Sequence, residues 1–419
     1  MNNPRRVLTL TSVVSIASLA LVSCAGGDAQ PSESASATKT AQQEEVAQLT
    51  PRIFLTFDGG VMVLDATSGE HLSTLDEPGF LRLSPAGDGR HVMVADGDEF
   101  KVLDSGLVTR EHGDHNHYYE QDAVWTGASF DAPEAGHVVS NQGKTALFAD
   151  GTGGVQLMNS SVFVDGAVDQ SAITQEKTDN PHHGVAVPLS DGGLLVTQGD
   201  EESRDTIQVW DADGSVVAET TDCPGVHGEA VVNDARGDIV SLGCENGPVI
   251  YRDGEFHKVE VPEKYQRSGN QFSAEGSPIV LADYKVDEDA ELERPTRIGL
   301  IDTRTDQIST VDLGSEYWFR SLARGKDGQA VVLTYDGRLN IVDPETGKIT
   351  DRIDVIPEWE EKEDWQQPGP SVQVAGEYAY VTDPEEKKLH VVNVKRATVV
   401  DTFELPEIPN EVAVVTGKA

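Results

Sequence analysis

The sequence predicts an all-β protein, an eight-bladed β-propeller whose C-terminal strand pairs with the first blade. Two observations lead to this prediction: a short motif recurs along the 419-residue chain, and apolar residues alternate with polar ones around each copy. A third observation is that no long helical period follows the amino-terminal segment. Alternation with period two is the pattern of strands that bury one face.

The recurring motif is apolar, any, apolar, any, and then Asp or Asn, usually followed by a turn. Its eight copies lie at 61–65, 100–104, 155–159, 207–211, 249–253, 298–302, 339–343 and 389–393. Their average spacing of about 47 residues is typical of four-stranded propeller blades. The sequence therefore predicts one blade for each copy.

The two ends of the repeat region predict how the ring closes. The first copy is preceded by a single strand, 52–57, and followed by another near 71–75, so the first blade lacks its innermost strand. An extra alternating run at 411–415 follows the last blade. We expect this run to complete the first blade, which leaves no open sheet edge in the ring.

The amino terminus has the pattern of an export signal. Arg5 and Arg6 precede an apolar stretch that is short for a membrane span and ends at Leu-Val-Ser-Cys24, which resembles a bacterial lipobox. We predict a lipoprotein signal peptide at 1–23, lipidation of Cys24, and a flexible membrane tether at 24–51 that is rich in small polar residues. The propeller domain would span 52–419 of a cell-surface or periplasmic lipoprotein.

The charge of the chain excludes one class of partner. Its 72 acidic and 32 basic residues give a formal net charge of -40. Such a charge repels phosphate backbones and favours cations, so we expect no nucleic-acid binding. We expect a monomer.

A histidine-rich segment is the strongest local signal. His112, His115 and His117 fall within six residues, together with Asp114. On an extended strand His115 and His117 share one face, about 6.6 Å apart at Cα, close enough for both imidazoles to bind one ion. The segment predicts a metal-binding loop between the second and third blades. The alternative is a solvated loop that is rich in histidine.

Three further histidines stand at equivalent places in adjacent blades. His183 and His227 begin the runs that open the fourth and fifth blades, and His137 opens the third. We expect these side chains at one mouth of the central channel, and we hypothesise that the mobile histidine-rich loop folds over it and exchanges ligands with an acceptor. Capping of turns is the alternative role for any one of these histidines.

The expected ligand atoms indicate the metal. Neutral imidazoles suit zinc first, and copper or nickel next. Asp114, His182 and Glu229 are possible further ligands, or hydrogen-bond acceptors that fix an imidazole tautomer. The sequence therefore predicts zinc as the bound ion.

Cys223 and Cys244 flank two adjacent predicted strands. Antiparallel pairing brings these positions together, and in an oxidising extracytoplasmic setting we predict a disulfide. The alternative is that Cys223 and His227 ligate zinc together.

Four segments resemble the AztD-type zinc metallochaperones, exported propellers associated with zinc ABC importers. They are His-Gly-Asp-His-Asn-His-Tyr-Tyr at 112–119, Asn-Pro-His-His-Gly-Val-Ala at 180–186, Cys-Pro-Gly-Val-His-Gly-Glu-Ala at 223–230, and Gly-Cys-Glu-Asn-Gly at 243–247. The resemblance implies zinc binding and direct transfer to the solute-binding protein of the importer, without catalysis. The implied ligands are among His112, His115, His117, His137, His183 and His227. The lipobox departs from the family, whose members with this activity are soluble and periplasmic.

Two other function classes remain open from the sequence. In an exported propeller hydrolase, the metal would activate water or an ester or lactone carbonyl, with Glu229 or Asp114 as base. In a structural interaction propeller, the histidine cluster would be fortuitous. The chain has no Gly-x-Ser-x-Gly motif, phosphate-binding glycine loop or Cys-x-x-Cys motif, so the common nucleophile and nucleotide motifs are absent.

Overall fold

The strands of this protein are short and follow one another along the chain. A computed structural model describes residues 43–166, 168–200 and 202–418. The predicted signal peptide at 1–23, Cys24 and most of the predicted tether lie outside these residues. Among the helices in the described ranges, none has the length and apolar character needed to cross a membrane.

The secondary structure is almost entirely β. The strands up to residue 159 are β1 (Glu44–Val46), β2 (Arg52–Phe57), β3 (Gly59–Asp65), β4 (His71–Glu77), β5 (Arg82–Pro85), β6 (His91–Asp96), β7 (Glu99–Asp104), β8 (Leu107–His112), β9 (His115–Glu120), β10 (Val124–Asp131), β11 (Ala135–Asn141), β12 (Lys144–Ala149) and β13 (Gly154–Asn159). Those from 174 to 302 are β14 (Thr174–Lys177), β15 (Ala186–Pro188), β16 (Leu194–Gln198), β17 (Thr206–Trp210), β18 (Val216–Thr220), β19 (His227–Asp234), β20 (Gly237–Gly243), β21 (Val249–Arg252), β22 (Glu255–Lys258), β23 (Gln271–Phe272), β24 (Ile279–Asp283) and β25 (Arg297–Asp302). The last are β26 (Gln307–Asp312), β27 (Leu322–Arg324), β28 (Ala330–Leu333), β29 (Arg338–Val342), β30 (Ile349–Asp354), β31 (Val372–Ala375), β32 (Tyr378–Asp383), β33 (Lys388–Asn393), β34 (Thr398–Glu404) and β35 (Val412–Val415). Short 3₁₀ helices span Ser160–Gly166, Gln170–Ala172 and Phe319–Ser321.

These strands form four-stranded antiparallel sheets, which we number along the chain. The first is β35-β2-β3-β4 and the second is β5-β6-β7-β10. The third to the eighth each contain four consecutive strands, β11–β14, β15–β18, β19–β22, β23–β26, β27–β30 and β31–β34. Each of the eight sequence motifs falls on the third strand of one sheet. A series of such sheets is the architecture of a β-propeller.

The C-terminal strand β35 pairs with β2, from Arg52 opposite Val415 to Leu55 opposite Val412. This confirms the pairing predicted for the run at 411–415. Innermost strands of neighbouring sheets also contact one another, including β35 with β5 and β31 with β35. The first and last strands of the four-stranded sheets, β2 and β35, are therefore joined within one sheet.

The hydrophobic core lies between successive sheets. Val187 of the fourth sheet and Leu242 of the fifth belong to one buried cluster, and Leu55 of the first sheet packs in another with Leu389 of the eighth. Because strand side chains alternate between faces, each sheet contributes to the clusters on both of its sides. Full burial of a side chain of this size contributes roughly 1.5–3 kcal/mol.

The strand order gives each sheet two distinct ends. We call the end where the innermost strand begins the leading end, and the opposite one the trailing end. The second strand therefore finishes at the leading end, and the third strand finishes at the trailing end. Residues that precede the innermost strands of different sheets all lie at leading ends.

The histidine-rich segment differs from its predicted placement. It forms the hairpin β8–β9 between β7 and β10, the third and fourth strands of the second sheet. The prediction that it joins the second and third blades is wrong, because β10, which completes the second sheet, follows the hairpin along the chain. The turn at Gly113, with φ of +64°, lets the segment fold on itself.

The folded part also begins earlier than residue 52. Residues Glu44–Val46, inside the predicted tether, form β1 and pair with β9. With β8 they make a separate three-stranded sheet. Its backbone hydrogen bonds order a polar segment that has no hydrophobic period of its own.

Candidate metal centre

The leading ends of the third, fourth and fifth sheets bring His137, His183 and His227 together. Their ring centroids lie 5.1 Å apart for His137 and His183, 5.4 Å for His137 and His227, and 4.9 Å for His183 and His227. One ring nitrogen from each lies within 4.8 Å of the others. We call these three residues the His trio. The predicted convergence of these positions is therefore present.

Irregular backbone geometry accompanies two of the three imidazoles of the trio, those of His137 and His227. His137 lies in a register shift near the start of β11. His227 is the first residue of β19, followed by Gly228 with φ of +78°, a conformation that favours glycine. A Cβ at Gly228 would also lie 2.4 Å from the Gly269 carbonyl oxygen. These irregular strand starts turn the side chains toward one another.

The Nδ1 atoms of the trio all face acceptors. His183 Nδ1–H donates to Asp150 Oδ2 at 2.5 Å, and His227 Nδ1–H donates to the Gly269 carbonyl at 2.6 Å. His137 Nδ1 lies 3.4 Å from Glu229 Oε2. The two hydrogen bonds place the proton of His183 and that of His227 on Nδ1 and leave their Nε2 atoms without a proton, the usual arrangement of a metal-bound histidine.

The Nε2 atoms of His183 and His227 lie only 2.9 Å apart. With both protons on Nδ1, two lone pairs face each other, which is unfavourable unless a cation lies between them. Zinc–nitrogen bonds of 2.0–2.1 Å in a tetrahedral site imply nitrogen atoms roughly 3.3 Å apart, close to this spacing. The spacing within the trio therefore fits a single cation bound by three nitrogen atoms.

Burial lowers the pKa of His227 well below its ordinary value, and the neighbouring His137 and His183 lower it further. His227 is consequently neutral at neutral pH. A neutral imidazole is the form that binds a metal ion.

The hairpin brings together a second set of imidazoles, His112, His115 and His117, which we call the hairpin cluster. His112 lies opposite His115 in the β8–β9 ladder, so all three share one face of the hairpin. Their ring centroids are 4.9–5.5 Å apart. As in the trio, one ring nitrogen from each lies within 4.8 Å of the others. The shared face predicted for His115 and His117 is present.

Carboxylates also contact the Nδ1 atoms of two imidazoles in the hairpin cluster. His115 Nδ1 lies 3.1 Å from Asp114 Oδ1, and His117 Nδ1 lies 2.7 Å from Glu45 Oε1 of β1. The Nε2 atoms of His115 and His117 face each other at 3.1 Å. The hairpin cluster therefore repeats the chemistry of the trio with different residues.

The two clusters lie toward opposite ends of the sheets. The trio is at the leading ends, whereas the hairpin leaves the second sheet at its trailing end, after β7. Strands of six residues separate these ends by about 20 Å. The hypothesis that the histidine-rich loop folds over the mouth formed by the trio is therefore wrong, because the order of strands in the second sheet places the loop at the other end.

His182 lies apart from both clusters. Its Nδ1 contacts the Asn180 carbonyl oxygen and its Nε2 contacts Thr197 Oγ1, both at 3.0 Å. The side chain is 3% exposed and packs edge-on against Phe148. Because both ring nitrogens are engaged within the fold, His182 has a structural role, and its suggested part in metal binding is corrected.

The carboxylates divide into those the sequence indicated and those it did not. Glu229 and Asp114 lie where they were suggested as acceptors, next to His137 and His115. Asp150 and Glu45 were missed. Asp150 directly follows β12, the second strand of the third sheet, at the same end as the trio, and this position could have indicated its role. Glu45 lies in a segment without any periodic pattern.

Cys223 and Cys244 form a disulfide with Cα atoms 4.9 Å apart, which confirms that prediction. Both sulfurs are occupied and buried, so Cys223 is not a metal ligand in this state. Gly243, next to Cys244, pairs with His227. The bridge therefore holds together the two backbone segments that position His227.

Comparisons with known proteins confirm the resemblance to AztD-type zinc chaperones. No protein-family model matches the chain. The zinc chaperone AztD of Citrobacter koseri is 28% identical over 345 residues, 80% of this chain and 78% of that protein. The crystal structure of Citrobacter koseri AztD matches with a TM-score of 0.74 and 24% identity, over 87% of this chain and 98% of that one.

Two further structures have a similar fold. The apo form of Citrobacter koseri AztD matches with a TM-score of 0.72 and 24% identity, over 88% of this chain and 99% of that one. The dihydro-heme d1 dehydrogenase NirN matches with a TM-score of 0.58 at 13% identity, over 89% of this chain and 76% of that one. These matches concern the fold.

Proposed function

We propose that this protein is an exported zinc metallochaperone that binds zinc through the His trio and the hairpin cluster and passes it to the solute-binding protein of a zinc ABC importer. The observation that carries the proposal is the convergence of lone pairs in the trio, where the Nδ1 atoms face acceptors and two Nε2 atoms lie 2.9 Å apart. The 28% sequence identity to a protein named as a zinc chaperone supports zinc as the ion.

We further propose that the eight four-stranded sheets are the blades of a closed eight-bladed ring, and that Cys24 anchors it to the membrane. The pairing of β35 with β2 supports closure, and the Leu-Val-Ser-Cys sequence supports the anchor. A lipidated chaperone would meet its acceptor near the membrane surface.

The two clusters are suited to different roles in transfer. The side chains of His137 and His183 are 18% and 36% exposed, whereas those of His117 and His115 are 37% and 56% exposed. We assign tight retention to the trio, where less water competes with the ligands, and ligand exchange with an acceptor to the hairpin cluster. Transfer proceeds by replacing one imidazole at a time with a ligand of the acceptor.

The positions of the carboxylates favour a chaperone over a hydrolase. A hydrolase needs a free base beside metal-bound water. Glu229 and Asp114, the residues suggested for that role, each lie against an imidazole Nδ1. In these positions they orient ligands.

The first test is zinc stoichiometry and affinity by competition with a chelator. We compare the wild type with variants that lack the trio (His183→Ala with His227→Ala) or the hairpin cluster (His112→Ala, His115→Ala and His117→Ala). His71→Ala, which removes an exposed imidazole that belongs to neither cluster, is the control. We expect each cluster variant to lose one ion and the control to lose none. Unchanged stoichiometry in both cluster variants would exclude the proposed sites.

The second test is transfer from the zinc-loaded protein to an apo solute-binding protein, followed in the presence of excess chelator. We expect zinc to reach the acceptor faster than free zinc would under these conditions, and the hairpin variant to slow this step. Transfer at the rate of simple dissociation would contradict a chaperone function.

A further inference from the structure

We infer that the amino-terminal strand β1 completes the hairpin cluster, with Glu45 as the residue that orients His117 toward a metal ion. The inference rests on the proposed zinc binding by the hairpin cluster. It adds a positioning residue that lies in a segment expected to be only a tether.

The strand register places Glu45 on the correct face. Glu45 lies opposite Tyr119, and Tyr119 lies two residues beyond His117 along β9. Alternate residues of a strand share a face, so Glu45 is on the same side of the sheet as His115 and His117. Its neighbour Glu44 lies opposite Glu120 and points to the other side.

The contact has the geometry of an orienting hydrogen bond. His117 Nδ1–H donates to Glu45 Oε1 at 2.7 Å across 72 residues of sequence. A carboxylate cannot donate a proton in return, so it fixes the tautomer with Nε2 bare. That Nε2 is the atom that faces His115 at 3.1 Å.

Metal binding is thereby coupled to docking of β1. The strand presents Glu45 only while its backbone pairs with β9, and a zinc ion on His117 in turn favours the docked strand. Thermodynamic linkage makes the two effects equal in size. Undocking of β1 would lower the zinc affinity of the hairpin cluster and favour release of the ion.

The test uses the full chain with His183→Ala and His227→Ala, so that only the hairpin cluster is available for zinc. In this background we compare Glu45→Ala and Glu45→Gln with the matched control Glu44→Ala. Loss of an acceptor behind a metal-bound histidine typically weakens affinity about 10–100-fold. We expect that loss for Glu45→Ala, a smaller one for Glu45→Gln, whose amide oxygen still accepts, and none for Glu44→Ala.

A second readout separates orientation from support of the strand. Long-range proton–nitrogen NMR of the zinc-free proteins reports the tautomer of His117. We expect the Nδ1–H form in the background protein and in Glu44→Ala, and a mixture with the Nε2–H form in Glu45→Ala. Equal loss of affinity in Glu44→Ala and Glu45→Ala, or an unchanged tautomer in Glu45→Ala, would overturn the inference. Failure of the background protein to bind zinc at all would instead count against the proposed function of the hairpin, and the tautomer measurement would still decide the role of Glu45.

Discussion

Replacing Asp150 by Asn tests whether the trio depends on the groups behind its ligands. Asp150 accepts from His183 Nδ1–H at 2.5 Å, and its side chain is 15% exposed. Little water can therefore take over its role. Asn is nearly the same size, so the substitution changes charge and hydrogen-bonding capacity while preserving packing.

The expected loss follows from the chemistry of this contact. Hydrogen bonds to charged groups contribute about 1.5–3 kcal/mol and neutral ones about 0.5–1.5 kcal/mol, so the charge alone accounts for roughly 1–1.5 kcal/mol, or about tenfold. An Asn amide can also donate to Nδ1, which favours the tautomer with a proton on Nε2 and removes a ligand. We therefore expect zinc affinity to fall about 10–100-fold.

The assay is chelator competition in the protein with His112→Ala, His115→Ala and His117→Ala, where only the trio remains. Asp88→Asn is the matched control, because Asp88 Oδ2 also lies 2.5 Å from a histidine Nδ1, that of His91, outside both clusters. Thermal unfolding of both variants without zinc shows whether stability has changed.

The reasoning fails if Asp150→Asn binds zinc as tightly as its parent. It also fails if Asp88→Asn loses affinity to the same extent, because the loss would then come from general destabilisation. A loss confined to Asp150→Asn assigns the effect to the orientation of His183.

Three further outcomes are expected. Replacing Cys223 and Cys244 together by Ala should lower the free energy of unfolding by about 3 kcal/mol in the loop-entropy estimate for a separation of 21 residues, measured by denaturant titration; an unchanged midpoint would refute it. His182→Ala should cost roughly 2–4 kcal/mol of stability, because it empties a buried site and breaks two hydrogen bonds, yet zinc affinity should stay within twofold of wild type in the same competition assay. Ending the chain after residue 411 should abolish cooperative thermal unfolding, because β2 loses its partner β35, whereas ending it after residue 415 should leave the transition nearly unchanged.

The sequence predicted the architecture well because a propeller is built from local repeats. Each sheet is largely a run of consecutive strands, so the periodic alternation and the recurring Asp or Asn after the third strand locate the elements without long-range information. The closing strand was predictable because the first sheet visibly lacked one. The insertion of the hairpin β8–β9 between the third and fourth strands of the second sheet was not predictable, since a hairpin and a connection between blades have the same polar composition.

The site was predictable to the extent that it follows from strand position. His137, His183 and His227 lie within three residues of the start of equivalent strands in adjacent sheets, so their neighbourhood follows from the repeat. Only the tertiary structure decided that the hairpin cluster lies at the opposite end and that Asp150 and Glu45 contact the imidazoles of His183 and His117. These contacts join residues 33 and 72 positions apart. Period-two alternation determines which face a side chain occupies, but the packing of one sheet on the next determines which side chain it meets.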